Sequence, residues 1–443
     1  MTVVTRFPPS PTGYCHVGTA RMAVLNYLFT RKRGGKIIFR SEDTDQERST
    51  REFEDDIVEQ LKWLGLSWDE FYRQSERTAL YRVEIERLLT ADKAYASHEE
   101  SKKKAGEKVE IIRLRNPGSV VTFNDVLRGD ITFDTTELKD FAIARRIDDP
   151  LYHLCVVIDD ALMGVTHVIR GEDHISNTPR QILIQEALGV TRPIYVHYPL
   201  HLSQDRSKLS KRTGDVAVRD YRAKGYLPEA LLNYIAVLGW TPPSGREILS
   251  LDEMIPEFDL KDLHKSGAVF DPEKLRWYNR EYLLSPTGGD FAHSIVPVLE
   301  SAITARGIPW DAVMWERLLP LLRERVHVAE DVRTMVAEGE LDYFFTRPRS
   351  MQAEWTADQK TPDRLARLVE LLRTVAESDF MNPEAVKAAI WDYATEEGRK
   401  NVLQPLREIL SGKKQSPDPF TIASVIGKTE TIDRLTKMID ALT

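Results

Sequence analysis

An α/β fold is expected for the first part of this chain: a doubly wound parallel sheet with an inserted α+β domain, followed by an all-α C-terminal region. Three observations lead there. Short apolar runs alternate with helical-period segments up to about residue 95, residues 96–148 replace that rhythm with three short strand-like runs, and beyond residue 290 the pattern is helical almost throughout. A length of 443 residues is too great for one ordinary core and predicts two to four domains.

The opening run, Val3–Phe7, reads as a strand, and the prolines from Pro8 to Pro11 exclude helix there because they fix φ and remove donors. From about Gly18 a helical period begins, with Val17, Ala20, Val24, Leu25 and Leu28 on one face, Arg31–Arg33 at its negative end and Gly34–Gly35 as the stop. Lys36–Arg40 is a second strand. Asp43 or Asp45 is expected to cap the next helix, whose apolar face is Phe53, Ile57, Leu61 and Leu64. Strand, loop, helix, strand is the opening of a Rossmann-type sheet. In the insert, Val120–Phe123, Asp130–Phe133 and Phe141–Ala144 look like strands. The α/β pattern resumes with Leu154–Ile158, a continuous apolar run expected as a buried parallel strand, then a strand Thr166–Arg170 and a helix from Arg180 to Leu188. Helices dominate the C-terminal part, and Gly398, Gly412 and Gly427 fall at expected helix ends.

Composition excludes some classes. Hydrophobic residues make up 42% and charged residues 29%, the balance of a soluble globular protein. No run reaches the ~20 apolar residues that span a bilayer, so no membrane association is expected. Residues 1–8 lack the charged start and apolar stretch of a secretion signal. Two cysteines, Cys15 and Cys155, exclude a disulfide scaffold and fit a reducing, cytoplasmic compartment. A net charge of −8 speaks against nucleic acid in the total, although local patches decide binding.

Four clusters of residues can carry chemistry. Between the first strand and helix lies R-F-P-P-S-P-T-G, Arg6 to Gly13, followed by H-V-G-T, His16 to Thr19. A helix N-terminus offers free N–H groups and a partial positive charge to phosphate, Gly18 permits close backbone approach, and His16 can donate to a phosphate oxygen. By itself, H-V-G is equally an ordinary proline-rich turn with a surface histidine. Far downstream, Lys208–Arg212 reads K-L-S-K-R; lysine is a compact cation able to follow charge developing on a phosphate, although a solvated basic loop explains such a string as well. Arg6 and Arg170 close two strands at the end of the sheet where ligands bind, and their planar forks suit a carboxylate. Glu42 can answer an ammonium and Tyr152 can donate its hydroxyl; as isolated residues all four are equally ion-pair or capping members.

Together and in this order, H-V-G-T and K-L-S-K-R resemble the two signature motifs of class I aminoacyl-tRNA synthetases. R-F-P-P-S-P-T-G and E-D-T-D, Glu42 to Asp45, narrow the resemblance to the glutamyl/glutaminyl branch, and the run from Tyr152 to Gln181 is strongly family-like. Pro9 departs from the usual alanine, Ser41 from the usual isoleucine, and Thr19 takes the last position of the family's H-I-G-H pattern. The whole chain is most similar to bacterial-type glutamyl-tRNA synthetases, whose helical C-terminus contrasts with the β-barrels of glutaminyl enzymes.

The resemblance implies ATP and Mg2+ as cofactors, and L-glutamate with tRNA(Glu) as partners. It implies catalysis by His16, Gly18, Lys208 and Lys211, ATP contacts from these four with Ser10, Thr19 and Ser210, and glutamate contacts from Arg6, Ser10, Glu42, Tyr152 and Arg170. Glu172 and His174 lie at the pocket end of the family-like run. It implies a sheet domain in two halves, 1–95 and 149–198, a shortened acceptor-end-binding insertion at 96–148, a stem-contact region at 199–289, and an anticodon-binding region at 290–443 with Arg325, Arg407 and Ser416 at contact positions. No zinc is expected, since no cysteine lies between Cys15 and Cys155. A monomer is the family expectation. Three alternatives stay open: an enzyme non-discriminating or specialised for tRNA(Gln), a weakly catalytic tRNA-binding paralogue, and a nucleotidyltransferase acting on a small acid, which would not need the helical C-terminus.

Overall fold

The computed structural model describes residues 2–100, 108–203, 217–285, 291–348, 356 and 358–443. Two compact units, Met1–Tyr282 and Leu283–Thr443, divide the chain.

The first unit is built on parallel strands. β1 (Val4–Phe7), β2 (Lys36–Ser41) and β3 (Glu70–Arg73) pair in parallel, and α1 (Val17–Lys32) and α2 (Arg51–Trp63) connect them. Ile37, Ile38 and Phe39 are all buried, as expected of a strand covered on both faces. The α1 face read from the sequence is the packed one: Val17, Ala20, Val24, Leu25 and Leu28 are buried. The cap of α2 differs from expectation. Thr50 accepts from the Phe53 N–H at 3.2 Å, while Asp43 is engaged by the Ser75 N–H and hydroxyl and Asp45 by Arg48. The helix starts one turn later than the first carboxylates, so a hydroxyl caps it.

Leu154–Ile158 is a further correction. It lies in α4 (Tyr152–Leu162), with Tyr152 in the first turn. The run is continuous because the helix is buried all along that stretch, and a continuous apolar run carries no period to separate helix from strand. The next parallel pair is β10 (His167–Gly171) with β11 (Ile194–Tyr198), linked through α5 (Thr178–Leu188). Thr166 N–H donates to the Val4 carbonyl at 3.0 Å and its hydroxyl lies 2.9 Å from the Val4 N–H, so the two parallel segments meet beside β1. The chain thus leaves β1 in one direction and β10 in the other, which opens a crevice at the carboxyl ends of both.

The segment expected as an α+β insert holds strands and one 3-10 turn, and no α-helix among its described residues. β4 (Ala94–Glu100), β5 (Lys108–Leu114), β8 (Phe141–Arg146) and the two-residue Asp149–Pro150 form one antiparallel sheet. β6 (Val120–Asp125) and β7 (Gly129–Asp134) form a hairpin whose end meets β11 at Tyr195↔Asp125. The helical layer comes from outside: Tyr81, Ile85 and Leu88 of α3 (Thr78–Thr90) and Leu154 and Ile158 of α4 share one core with Ile112, Val121 and Ile143. Period-two patterning such as Ile112/Leu114 and Val121/Phe123 has an apolar side to cover, and helices of the sheet domain cover it.

The second unit is helical in its described residues, with long helices at Phe291–Ala305, Ala312–Arg325, Thr361–Thr374, Pro383–Glu396, Arg399–Ser411 and Lys428–Leu442. Gly412 ends one of them in the left-handed conformation, φ +70°, where a side chain would be strained.

Candidate active site

The crevice holds a cavity of about 590 Å3. Arg6, Ser10, His16, Gly18, Thr19, Glu42, Tyr152 and Arg170 all line it. Residues from distant parts of the sequence are thus brought together by the meeting of β1 and β10 and by the first turns of α1 and α4. Lys208, Ser210 and Lys211 lie outside the described residues. The described neighbours on either side of them approach the cavity: His201 lines it, and Ala217 forms a β-bridge with His16 while the Val218 N–H donates to the Cys15 carbonyl at 2.8 Å.

His16 is the N-cap of α1. Its Nδ1 accepts from the N–H groups of Gly18 and Thr19 at 3.1 and 3.2 Å, which satisfies two of the donors a helix leaves open. The ring therefore occupies part of the helix terminus expected to meet phosphate, and presents Nε2, 3.3 Å from the Thr19 hydroxyl. Gly18 has a local cause as well. A Cβ there would stand 3.0 Å from the His16 ring, so glycine makes room for the cap.

Four buried charges sit under the cavity. Arg6 Nε and Arg40 Nη1 both donate to Asp160 Oδ1, at 3.1 and 2.7 Å, and Arg40 Nη2 donates to Glu42 Oε1 at 2.9 Å. Burial disfavours the Asp160 carboxylate, but Arg6 and Arg40 outweigh it and hold the group below its ordinary range. Burial dominates at Glu42 and raises its pKa against the pull of Arg40 and Arg6. Arg6 is 2% exposed and its buried Nη1 has no hydrogen-bond partner among the described residues, an open donor on a fixed guanidinium. Burial also pushes the Tyr152 hydroxyl pKa up, so it stays a donor.

Arg170 is held differently. Its Nε donates to His197 Nε2 at 3.1 Å and its Nη2 to the Thr178 hydroxyl at 2.9 Å. Arg21, 1% exposed, donates from Nη1 to the Pro199 carbonyl at 2.6 Å and stacks 5.0 Å over Tyr198, and burial lowers its pKa to about 10. Sequence reasoning missed Arg21, Arg40, Asp160 and His197. Asp159 and Asp160 were legible as a carboxylate pair inside an apolar run, and Arg40 as the charged end of a buried strand. His197 lies inside a strand and carried no comparable signal.

In the second unit a cavity of about 680 Å3 is lined by Arg325, Glu340, Tyr343, Lys413 and Ser416 among others. Arg325 pairs with Glu340 there. Arg407 does not line this cavity; its buried Nε has no hydrogen-bond partner among the described residues.

The sequence of the crevice unit matches the family model described as tRNA synthetases class I (E and Q), catalytic domain, over residues 2–102 and 96–277. The chain belongs to that family. Residues 291–439 match the anticodon binding domain model, so the helical unit is the family's companion domain. Similar curated relatives include the glutamate–tRNA ligase of Aquifex aeolicus, 41% identical over 93% of this chain and 85% of that protein, and that of Thermodesulfovibrio yellowstonii, 37% identical over 99% and 100%. A solved structure, the glutamate tRNA ligase of Elizabethkingia meningosepticum in complex with its amino acid, is 31% identical, covers 100% of both chains and superposes with a TM-score of 0.86.

Proposed function

We propose that this chain ligates L-glutamate to tRNA in protein synthesis. A glutamate α-carboxylate oxygen attacks the α-phosphorus of ATP, the bond to pyrophosphate breaks, and glutamyl-adenylate stays in the cavity. The terminal ribose hydroxyl of tRNA then attacks the activated carbonyl, and AMP leaves. One observation carries the reading: a single cavity that combines an α1 N-terminus for phosphate with two buried arginines and a buried glutamate for a zwitterionic acid. In this reading the open Nη1 of Arg6 and the fork of Arg170 receive substrate carboxylate, Glu42 receives the ammonium end, Tyr152 donates its hydroxyl to the substrate, and Ser10, His16, Gly18 and Thr19 border the nucleotide. Lys208, Ser210 and Lys211 complete the phosphate contacts by the family resemblance, with Lys211 countering charge that develops on the α-phosphate. The arrangement supplies positioning and charge, with no covalent enzyme intermediate.

Among the described residues no three His, Cys, Asp or Glu side chains converge to hold a metal. Magnesium enters this reading only as the companion of the ATP phosphates, with no step through it. The proposal places Arg325, Arg407 and Ser416 toward the anticodon and names tRNA(Glu) as the substrate. No helix of the described residues is long and apolar enough to cross a membrane. Two buried free thiols agree with a cytoplasmic setting, and a monomer completes the proposal.

Aminoacylation with radiolabelled glutamate tests this on purified glutamate-specific and glutamine-specific tRNAs in parallel. Charging of the first alone is expected. Charging of both, or of the second alone, replaces tRNA(Glu) by a wider or different tRNA substrate, and charging of neither with tRNA still bound overturns the catalytic reading in favour of a binding paralogue.

A further inference from the structure

Among the described residues no carboxylate is in ion-pair contact with Arg170; a neutral pair of acceptors holds it instead. His197 Nε2 lies 3.1 Å from Arg170 Nε, and His197 Nδ1 lies 2.8 Å from Asp125 Oδ2. The carboxylate only accepts, so Nδ1 carries the ring proton and Nε2 is left with the lone pair that Arg170 needs. Asp125 is itself fixed: Oδ1 accepts from the Leu127 and Arg128 N–H groups, both at 3.0 Å, and Oδ2 also accepts from the His197 N–H at 2.9 Å. Asp125 and His197 are 1% and 0% exposed, and Arg170 is 5% exposed. The three residues come from β6, β11 and β10, so the inserted hairpin reaches the amino-acid cavity through one imidazole.

We infer that Asp125 and His197 are positioning residues for glutamate use: the carboxylate fixes the imidazole proton on Nδ1, and Nε2 then holds the Arg170 guanidinium in the plane that receives a substrate carboxylate. The inference rests on the assignment of Arg170 to the glutamate pocket. Burial keeps His197 neutral by lowering its pKa, in agreement with an Nε2 that accepts. Thr178 takes the second bond, its hydroxyl accepting from Nη2 and donating to the His174 carbonyl at 3.1 Å, so the guanidinium is held at two of its nitrogens and cannot swing.

Two substitutions at one position separate this from simple packing. The Nδ2 of asparagine falls near Nδ1 of the histidine it replaces, and the Oε1 of glutamine falls near Nε2. His197→Asn keeps the donor to Asp125 and removes the acceptor for Arg170, whereas His197→Gln keeps that acceptor. The full-length enzyme is assayed in aminoacylation with glutamate, ATP and tRNA each varied. His197→Asn is expected to raise the glutamate KM on the order of tenfold with the ATP KM unchanged, and His197→Gln by no more than about threefold. Asp125→Asn, which sets an amide N–H against another donor whichever way it turns, is expected to behave as His197→Asn does. Thermal unfolding is recorded for every variant, since a packing role lowers the midpoint of both His197 variants without splitting their glutamate KM values. Equal KM values for His197→Asn and His197→Gln, or a parallel rise in the ATP KM, overturn the inference. Arg170→Ala serves as the reference: an unchanged glutamate KM there removes Arg170 from the pocket and overturns both readings, whereas a raised KM there with no split at His197 overturns only the relay.

Discussion

At the scale of single residues, the cavity works through charges whose partners are already built in. Arg6 shares Asp160 with Arg40, and this shared carboxylate fixes the guanidinium while leaving Nη1 open. Arg6→Ala is therefore expected to leave Asp160 still paired with Arg40, so the loss falls mainly on ligand binding. Removing a charge-assisted bond to a carboxylate costs about 1.5–3 kcal/mol, which corresponds to a fall in kcat/KM for glutamate on the order of ten- to a hundredfold. Steady-state aminoacylation checks this, and an unaltered kcat/KM would take Arg6 out of the pocket. That Arg6 and Glu42 border the cavity was readable from their places in and just after apolar strands in a family-like context. That Arg40 and Asp160 sit beneath them was not, because Asp160 lies 120 residues after Arg40 and only folding joins them.

At the scale of elements, the first turn of α1 combines capping and site in the same atoms. Alanine suits a helix interior better than glycine by about 1 kcal/mol, so Gly18→Ala is not expected to destabilise the fold by more than that. Its Cβ, however, would meet the His16 ring at 3.0 Å and push it from the N–H groups of residues 18 and 19. The expected result is a thermal midpoint near that of the unsubstituted protein with turnover lowered on the order of tenfold or more. Normal turnover in a folded Gly18→Ala protein would show that the ring position is immaterial. The helix itself was legible from its period, and its start from the prolines before it. The capping role of His16 was not, since histidine is not a usual N-cap and its ring finds the two N–H groups only in the folded loop. The same limit explains α4, where burial on every side removed the period that would have marked a helix.

At the scale of the whole molecule, histidines that are partly or fully buried make the catalytic unit sensitive to mild acid. Burial lowers the pKa of His153 and His174 to about 4, and lowers those of His167, His197 and His201 as well. In the unfolded chain each titrates near ~6.5. Between those values the unfolded chain binds protons the folded one refuses, so stability is full above about pH 6.5 and falls as the pH drops toward 4. Glu42, with a raised pKa, works in the opposite sense, but as one group against five. Asp160, with a lowered pKa, loses its contribution only below the ordinary carboxylate range, a separate and more acid window. The thermal midpoint is expected to be lower at about pH 5.5 than at about pH 7.5, with a shallower slope in His153→Gln. A midpoint that stays level or rises on acidification contradicts the lowered pKa of these partly or fully buried imidazoles.

The sequence by itself determined most of the alternation of strands and helices, the helical C-terminal part, and the residues that border the cavity from the first motif to Arg170. These are local properties: periodicity, proline and glycine placement, and short strings tied to strand ends. Tertiary structure alone decided that α4 is a helix, that the insert borrows its helical layer from α3 and α4, and that Asp125 of its hairpin reaches His197. Such pairings depend on which surfaces meet once apolar faces are buried, and a polar side chain inside a strand gives no sign in the sequence of the partner, 72 residues away, that burial will oblige it to find.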